Sequence, residues 1–176
     1  MNPKAVRPVK LIIGIIAQDD SKLLEAAEQM LGEAFAAIEA QSSTIPFDFT
    51  EYYEKEMGKG LIRRWVSCQG TVDPDCLVRT KLKSRELEAA MSNSKGRRRI
   101  NLDPGILSLN NLILASTKDF AHRIYLGSGI YAEVTLIYRS GRFQPLEWTY
   151  PDYRTPTCLE FLAACRRNLL AALEQL

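Results

Sequence analysis

A chain of 176 residues, 46% hydrophobic and 25% charged, has the make-up of an ordinary globular protein and fits one domain, 1–176, with residues 1–9 as a flexible tail. A core of this size buries roughly 70% of the unfolded surface and needs no metal or disulfide to hold it. A net charge of +2 gives no reason to expect a nucleic-acid partner, and a single histidine excludes a two-histidine metal site.

The four cysteines, Cys68, Cys76, Cys158 and Cys165, show no CxxC spacing and no neighbouring histidine. They read as reduced, buried thiols of a cytoplasmic protein. Leu11 to Ala17 is apolar but too short to span a bilayer, and no cleavage pattern closes it. No membrane partner is expected.

Leu11 to Ile16 is apolar on both parities, the pattern of a central strand covered on both faces. Asp19, Asp20 and Ser21 supply cap candidates for a helix whose apolar stripe runs from Leu23 to Ile38. After Gln41-Ser42-Ser43 a short extended segment leads to Pro46-Phe47-Asp48-Phe49-Thr50 and the polar, aromatic stretch Glu51–Gly58, and Leu61 to Cys68 reads as a strand. Between Asp73 and Met91 two readings stay open: one long helix, or a turn, a strand and a short helix. Arg97 to Leu102 predicts a short strand stopped by Asp103-Pro104-Gly105. From Asn111 to Gln144 the pattern is an antiparallel meander with hairpins at Gly127-Ser128-Gly129 and Ser140-Gly141. Its register pairs Arg123 with Glu133, Ile124 with Ala132, Tyr125 with Tyr131 and Leu126 with Ile130. That puts Ile124, Leu126, Ala132, Val134, Leu136 and Tyr138 on a core face with His122, and Arg123, Tyr125, Tyr131, Glu133 and Thr135 on the other. A last helix starts at Thr155-Pro156 or at a Thr157–Glu160 capping box.

The common catalytic motifs are absent. No GxxxxGK[ST] phosphate loop, helix-opening GxGxxG or GxSxG occurs. The candidates that remain are side chains that neither periodicity nor capping requires. His122, Glu133 and Asp48 are the acid–base candidates. Arg123, Tyr125, Tyr131, Asp103, Trp148 and Tyr153 are the ligand-binding candidates, a guanidinium among aromatics being suited to a carboxylate or phosphate. Asp48, Glu54 and Asp103 are the candidate ligands for a divalent cation. Asp48, Glu54, Asp103, Arg123, Glu133 and Asp152 are expected to ring one concavity walled by Tyr125, Trp148 and Tyr153. Lys95 and Arg97 to Arg99, with the pairs Arg63–Arg64 and Arg166–Arg167, are the one hint of nucleic acid, and no RNP-type aromatic strand lies beside them.

The segments Pro46-Phe47-Asp48-Phe49-Thr50-Glu51-Tyr52-Tyr53-Glu54-Lys55-Glu56-Met57-Gly58, Asn101-Leu102-Asp103-Pro104-Gly105, His122-Arg123-Ile124-Tyr125-Leu126, Gly129 to Leu136 and Trp148-Thr149-Tyr150-Pro151-Asp152-Tyr153 resemble a bacterial family of unknown function whose members are often labelled GTP-binding. The resemblance covers nearly the whole chain and implies a prokaryotic cytoplasmic protein. The GTP label finds no phosphate loop here, and in Thr117-Lys118-Asp119-Phe120 the acid stands one place too early for a guanine-reading [NT]KxD motif.

The expected fold is α+β: a mixed, mostly antiparallel sheet with helices on one face, with a ferredoxin-like core extended by a C-terminal β-meander as the leading arrangement. The expected function is that of a small-molecule enzyme or binder for an anionic ligand, including a nucleotide-like one. A non-catalytic RNA-binding or assembly module is the alternative.

Overall fold

In a computed structural model of the chain, which describes residues 5–175, the sheet is organised around β1 (Lys10–Gln18). Eight of its nine residues are buried, because alternate side chains of the apolar run serve both faces. Leu11, Ile13, Ile15 and Ala17 pack with Leu23, Leu24, Ala27 and Leu31 of α1 (Ser21–Ala34). Ile12 points the other way, into a cluster with Phe161, Leu162 and Cys165 of α4 (Pro156–Leu173).

The remaining strands are β2 (Ile38–Gln41), β3 (Ile45–Pro46), β4 (Leu61–Cys68), β5 (Ile100–Leu107), β6 (Asn111–Ser116), β7 (Arg123–Gly127), β8 (Ile130–Arg139) and β9 (Arg142–Pro145). All pairs are antiparallel, in the order β2-β4-β1-β5-β6-β8-β7, with β3 on β4 and β9 on β8. With α2 (Glu54–Met57) and α3 (Leu77–Ala90) the chain is α+β. Its first half, β1–α1–β2–β4–α3–β5 with order β2-β4-β1-β5, is the ferredoxin-like split βαβ arrangement, and β6 to β9 extend it.

Several expectations are corrected. The helices starting near Ser21 and Thr155 lie on opposite faces, as the two parities of β1 require. Asp20 caps α1 by accepting from Lys22 N and Leu23 N, but the helix ends at Ala34, and Ile38 begins β2. Of the two starts read for the last helix, the one at Thr155-Pro156 holds, with Thr155 as the cap of α4. Residues 77–90 are one helix. Its apolar stripe is hard to see because Thr80, Lys81, Ser84 and Glu88 are buried on its inner side. β8 runs between β6 and β7, so the extension is not a simple meander. Of the residues expected as a tail, 1–4 lie outside the described residues, and Val9 is 4% exposed and pairs with Val72. No described helix is long and apolar enough to cross a membrane.

The hairpin register holds for Arg123–Glu133, Ile124–Ala132 and Tyr125–Tyr131, but Gly127 pairs with Ile130 and Leu126 stands in a bulge. The faces are reversed. Arg123 and Glu133 point inward, with side chains 2% and 1% exposed, while Ile124 is 67% exposed. A second bulge, where β8 spends three residues against Leu112–Ile113, brings Leu136 into the α4-side cluster while Glu133 stays buried.

The predicted stop at Asp103-Pro104-Gly105 is a place where β5 continues but its pairing does not. β5 pairs with β1 throughout, yet meets β6 only from Gly105 to Leu107. Leu102 turns its N–H and C=O away from β1, and by the same alternation so does Pro104, which has no hydrogen to donate. The ladder ends there and the two strands part as a fork. Gly105 closes it: a Cβ there would lie 2.6 Å from Leu114 Cδ2 and 2.8 Å from the Ile113 carbonyl oxygen. Gly105→Ala is therefore expected to cost about 1–3 kcal/mol, read as a lower urea midpoint; an unchanged midpoint would show that the approach of β6 is not tight.

Candidate ligand-binding site

A cavity of about 440 Å³ opens at the fork, within the roughly 300–1,000 Å³ range of ligand pockets. Both layers reach it because the sheet is split. From α3 come Lys81, Arg85 and Glu88; from β4 and β5, Arg63, Asn101 and Asp103; from β6 and the loop after it, Ser116, Thr117, Lys118 and Phe120. The segment 47–53 supplies Phe47, Phe49, Tyr52 and Tyr53, and the loop before α4 supplies Tyr150, Asp152 and Tyr153.

Side chains replace the missing strand. Lys81 Nζ donates to the Leu102 carbonyl at 2.8 Å, and Glu88 Oε1 accepts from Leu102 N at 2.6 Å. These two bonds satisfy backbone groups that would otherwise be orphaned inside the protein. Burial pushes the Glu88 carboxyl up, against the pull of Lys81 and of the Leu102 amide.

The floor is built on Arg63, 1% exposed. Its Nη1 donates to Asp103 Oδ2 at 2.9 Å, and Nε lies 3.0 Å from Asp152 Oδ2 without hydrogen-bond alignment. Its guanidinium carbon sits 5.1 Å from the Trp65 ring centroid and 5.0 Å from that of Tyr153. The guanidinium crosses β1 at Gly14, where a Cβ would stand 2.7 Å from Arg63 Nη2 and 2.8 Å from the Tyr153 hydroxyl. Burial works against the Arg63 charge, but Tyr153, Asp152 and Asp103 outweigh it, so the group is raised above its usual range. Burial also opposes the Asp103 charge. Arg63, Lys81 and the hydrogen bonds from Arg63 and Asn101 overcome it and hold that carboxyl below the usual range. Asp152, where burial prevails over Arg63, is raised.

A second buried knot closes the far wall. Glu133 Oε2 accepts from His122 Nε2 at 3.0 Å and Arg123 Nε at 2.8 Å, and Oε1 accepts from Thr135 Oγ1 at 3.1 Å. Arg123 also donates to Ser116 Oγ, the Lys118 carbonyl and the Tyr150 hydroxyl. Its donors are spent within the protein, so it holds the wall together rather than waiting for a ligand. His122, expected to point into the core, is instead stacked between Phe120 and Trp148. A third tie comes from Arg98, which donates from Nε and Nη2 to Glu56 Oε2 at 2.9 and 2.6 Å, fastening α2 to the start of β5. The Arg98 hydrogen bonds lower the Glu56 carboxyl despite its partial burial.

Of the residues picked out in the sequence, Asp103, Arg123, Glu133, Asp152 and Tyr153 line the cavity. Asp48, Glu54, Tyr125, Tyr131, Trp148 and His122 are not on its wall. Asp48 is exposed, Tyr125 and Tyr131 pack on each other at 5.2 Å, and Trp148 donates to the Val134 carbonyl. The expected cation ligands Asp48, Glu54 and Asp103 therefore do not converge, and among the described residues no three His, Cys, Asp or Glu side chains form a metal cluster. Sequence reasoning missed Arg63, Lys81, Arg85, Glu88 and Lys118. Arg63 was legible in principle: it shares the parity of buried Trp65, and Gly14 interrupts a run of bulky residues, a sign of close approach. Of the residues that suggested nucleic acid, Arg63 is buried, Arg98 is paired with Glu56, and Arg166 lies over the Tyr138 ring while donating to the Leu109 carbonyl.

Residues 7–169 match the family described as Domain of unknown function (DUF4416). The chain belongs to this family. No curated protein and no solved structure matches it.

The Arg63–Asp103 pair should show in the acid limb of stability. A carboxyl whose folded pKa is depressed adds stability that is present above the unfolded value, about pH 4, and is lost as pH falls through the folded one. Asp103→Asn is expected to be weaker than wild type at pH 7, with a smaller further loss between pH 5 and 3 in urea titrations. Equal slopes in the two proteins would show that Asp103 is not held ionised. Arg63→Met, which strands both carboxylates, is expected to cost about 3–5 kcal/mol.

Proposed function

We propose that this member of the family is an enzyme or binder for a small anionic ligand, taken up in the fork cavity, with a nucleotide-like molecule as the type that fits. One observation carries the reading. Six cationic side chains line the cavity against four carboxylates, and two of the cations, Arg85 and Lys118, make no ion pair among the described residues. Lys118 Nζ rests over the Tyr52 ring at 4.1 Å, free to take an anion. The other cations are committed: Arg63 to Asp103 and Asp152, Lys81 to Leu102, Arg98 to Glu56 and Arg123 to Glu133.

The rest of the wall suits a ligand with an apolar or planar part. Phe47, Phe49 and Tyr53 make edge contacts at 5.7 and 5.8 Å and pack on Ile16, Met57 and Leu61, which makes a rigid aromatic side to the cavity. At the floor Asp103 has a quarter of its side chain exposed and is held as a carboxylate. It is the group placed to accept a hydrogen bond from a ligand hydroxyl or amine.

The reading is tested by thermal shift against inorganic phosphate, sugar phosphates, nucleoside monophosphates and the matching uncharged sugars and nucleosides. A phosphorylated compound at about 100 times its Kd adds about 2.7 kcal/mol. At least one is expected to raise the melting temperature where its uncharged counterpart does not, and Arg85→Glu with Lys118→Glu is expected to abolish the shift without lowering the ligand-free value. No response to any of the anions, or a response unchanged in the double variant, would contradict it.

A further inference from the structure

Two rows of the sheet build the floor of the fork cavity. Gly14 stands between Trp65 on β4 and Asp103 on β5, and Ile16 stands between Arg63 and Asn101. Alternation keeps these side chains on one face. Arg63 Nη1 donates to Asp103 Oδ2, and Asn101 Nδ2 donates to Asp103 Oδ1 at 3.0 Å. A carboxylate oxygen accepts two hydrogen bonds, so each oxygen of Asp103 keeps one place free.

Two donors at this floor are also free. Arg63 and Tyr53 both line the cavity, and neither Arg63 Nη2 nor the Tyr53 hydroxyl makes a hydrogen bond among the described residues. The unpaired side-chain atoms that are sealed from contact are Arg63 Nε, Trp65 Nε1 and the Tyr153 hydroxyl. Arg63 Nη2 and the Tyr53 hydroxyl are not among them and open to whatever fills the cavity. Arg63 is 1% exposed, so this one donor is what a nearly buried guanidinium shows to a ligand.

These three groups ask for a particular partner. Arg63 only donates, ionised Asp103 only accepts, and a phenol does either. Burial, with the charge of Asp103 added, pushes the Tyr53 phenol up, so it keeps its proton. A phosphate oxygen would face the Asp103 carboxylate, and an ammonium would leave Arg63 Nη2 opposite another donor. A hydroxyl both donates and accepts, so two neighbouring hydroxyls satisfy all three groups. A flat base edge fits less well, because the Trp65 and Tyr153 faces at the floor are already covered by Arg63. The aromatic side made by Phe47, Phe49 and Tyr53 is where a planar part would rest.

Resting on the reading of the cavity as an anion site, we propose that its floor reads sugar hydroxyls. The ligand is a phosphorylated sugar, free or as the ribose of a nucleotide. Its phosphate lies at Arg85 and Lys118, and two neighbouring hydroxyls bond Asp103, Arg63 Nη2 and the Tyr53 hydroxyl. Charge and hydroxyls are thus read by different elements, the first by α3 and the loop after β6, the second by β4, β5 and the segment before α2.

Isothermal titration of the full chain with inorganic phosphate, ribose 5-phosphate, adenosine monophosphate and the 2-deoxy counterparts of the last two tests this. At least one hydroxylated compound is expected to bind about tenfold more tightly than its deoxy counterpart. Binding of ribose 5-phosphate marks the free sugar phosphate as the source, and binding of the nucleotide alone marks the nucleotide. Tyr53→Phe keeps the ring contacts with Phe47 and Tyr52 and removes only the hydroxyl. It is expected to remove most of that gap with the melting temperature unchanged. Sugar phosphates that bind with no gap, a gap that Tyr53→Phe leaves intact, or binding of inorganic phosphate alone overturns the assignment of the floor while the anion reading stands. Binding of none of the five compounds overturns both.

Discussion

The backbone of Leu102 faces a gap where an antiparallel neighbour would ordinarily sit, and much of the structure follows from how that gap is kept open. Pro104 withholds the N–H that would carry the β5–β6 ladder onward, and Gly105 lets β6 press close just before the strands part. A split sheet is costly unless its exposed amides and carbonyls find partners. Here α3 supplies them through Lys81 and Glu88, so the inner side of that helix is polar where a helix on a sheet is normally apolar. The cavity is what the fork leaves between the two strands.

Charge inside such a cavity has to be compensated, and two arginines do most of it. Arg63 lies across Gly14 between Asp103 and Asp152, packed on Trp65 and Tyr153. Arg123 ties Glu133 to Ser116, Lys118 and Tyr150. Breaking either set leaves a buried charge unpaired, a larger loss than the pair itself contributes. Arg63, Trp65 and Tyr153 also keep a buried polar atom each without a partner, an unusual concentration at one floor. The committed cations fix the shape of the site, and the uncommitted Arg85 and Lys118 give it its preference for anions.

Much of the fold was legible in the sequence where periodicity and burial agree. The apolar run of β1, the stripe of α4 and the pairing of Arg123 with Glu133 follow from alternation alone. The ferredoxin-like order was the leading expectation, although neither β2 nor α3 was placed from the sequence. What escaped detection was polar burial. A reading that sends charged residues outward loses α3, places Arg63 on the surface and reverses the two faces of β7. Bulges at Leu126 and in β8 add or remove a residue from the count, and nothing in the local pattern marks them. The site was half legible. Asp103, Glu133, Asp152 and Tyr153 stand where neither a cap nor a core requires them, and they do converge. The acidic stretch from Asp48 to Glu56 was taken for ligands, yet its cavity-side members are the aromatics beside those acids, and Glu56 serves as an anchor for Arg98.

Amide hydrogen exchange at Leu102 tests the fork most directly. If α3 stands in for a strand, the Leu102 amide is protected in the wild type. That protection is lost in Glu88→Ala, while Ile106 and Leu107, inside the β5–β6 ladder, keep theirs. Protection at Leu102 that survives the loss of Glu88 would mean that β5 and β6 pair along their full length and that no cavity separates them.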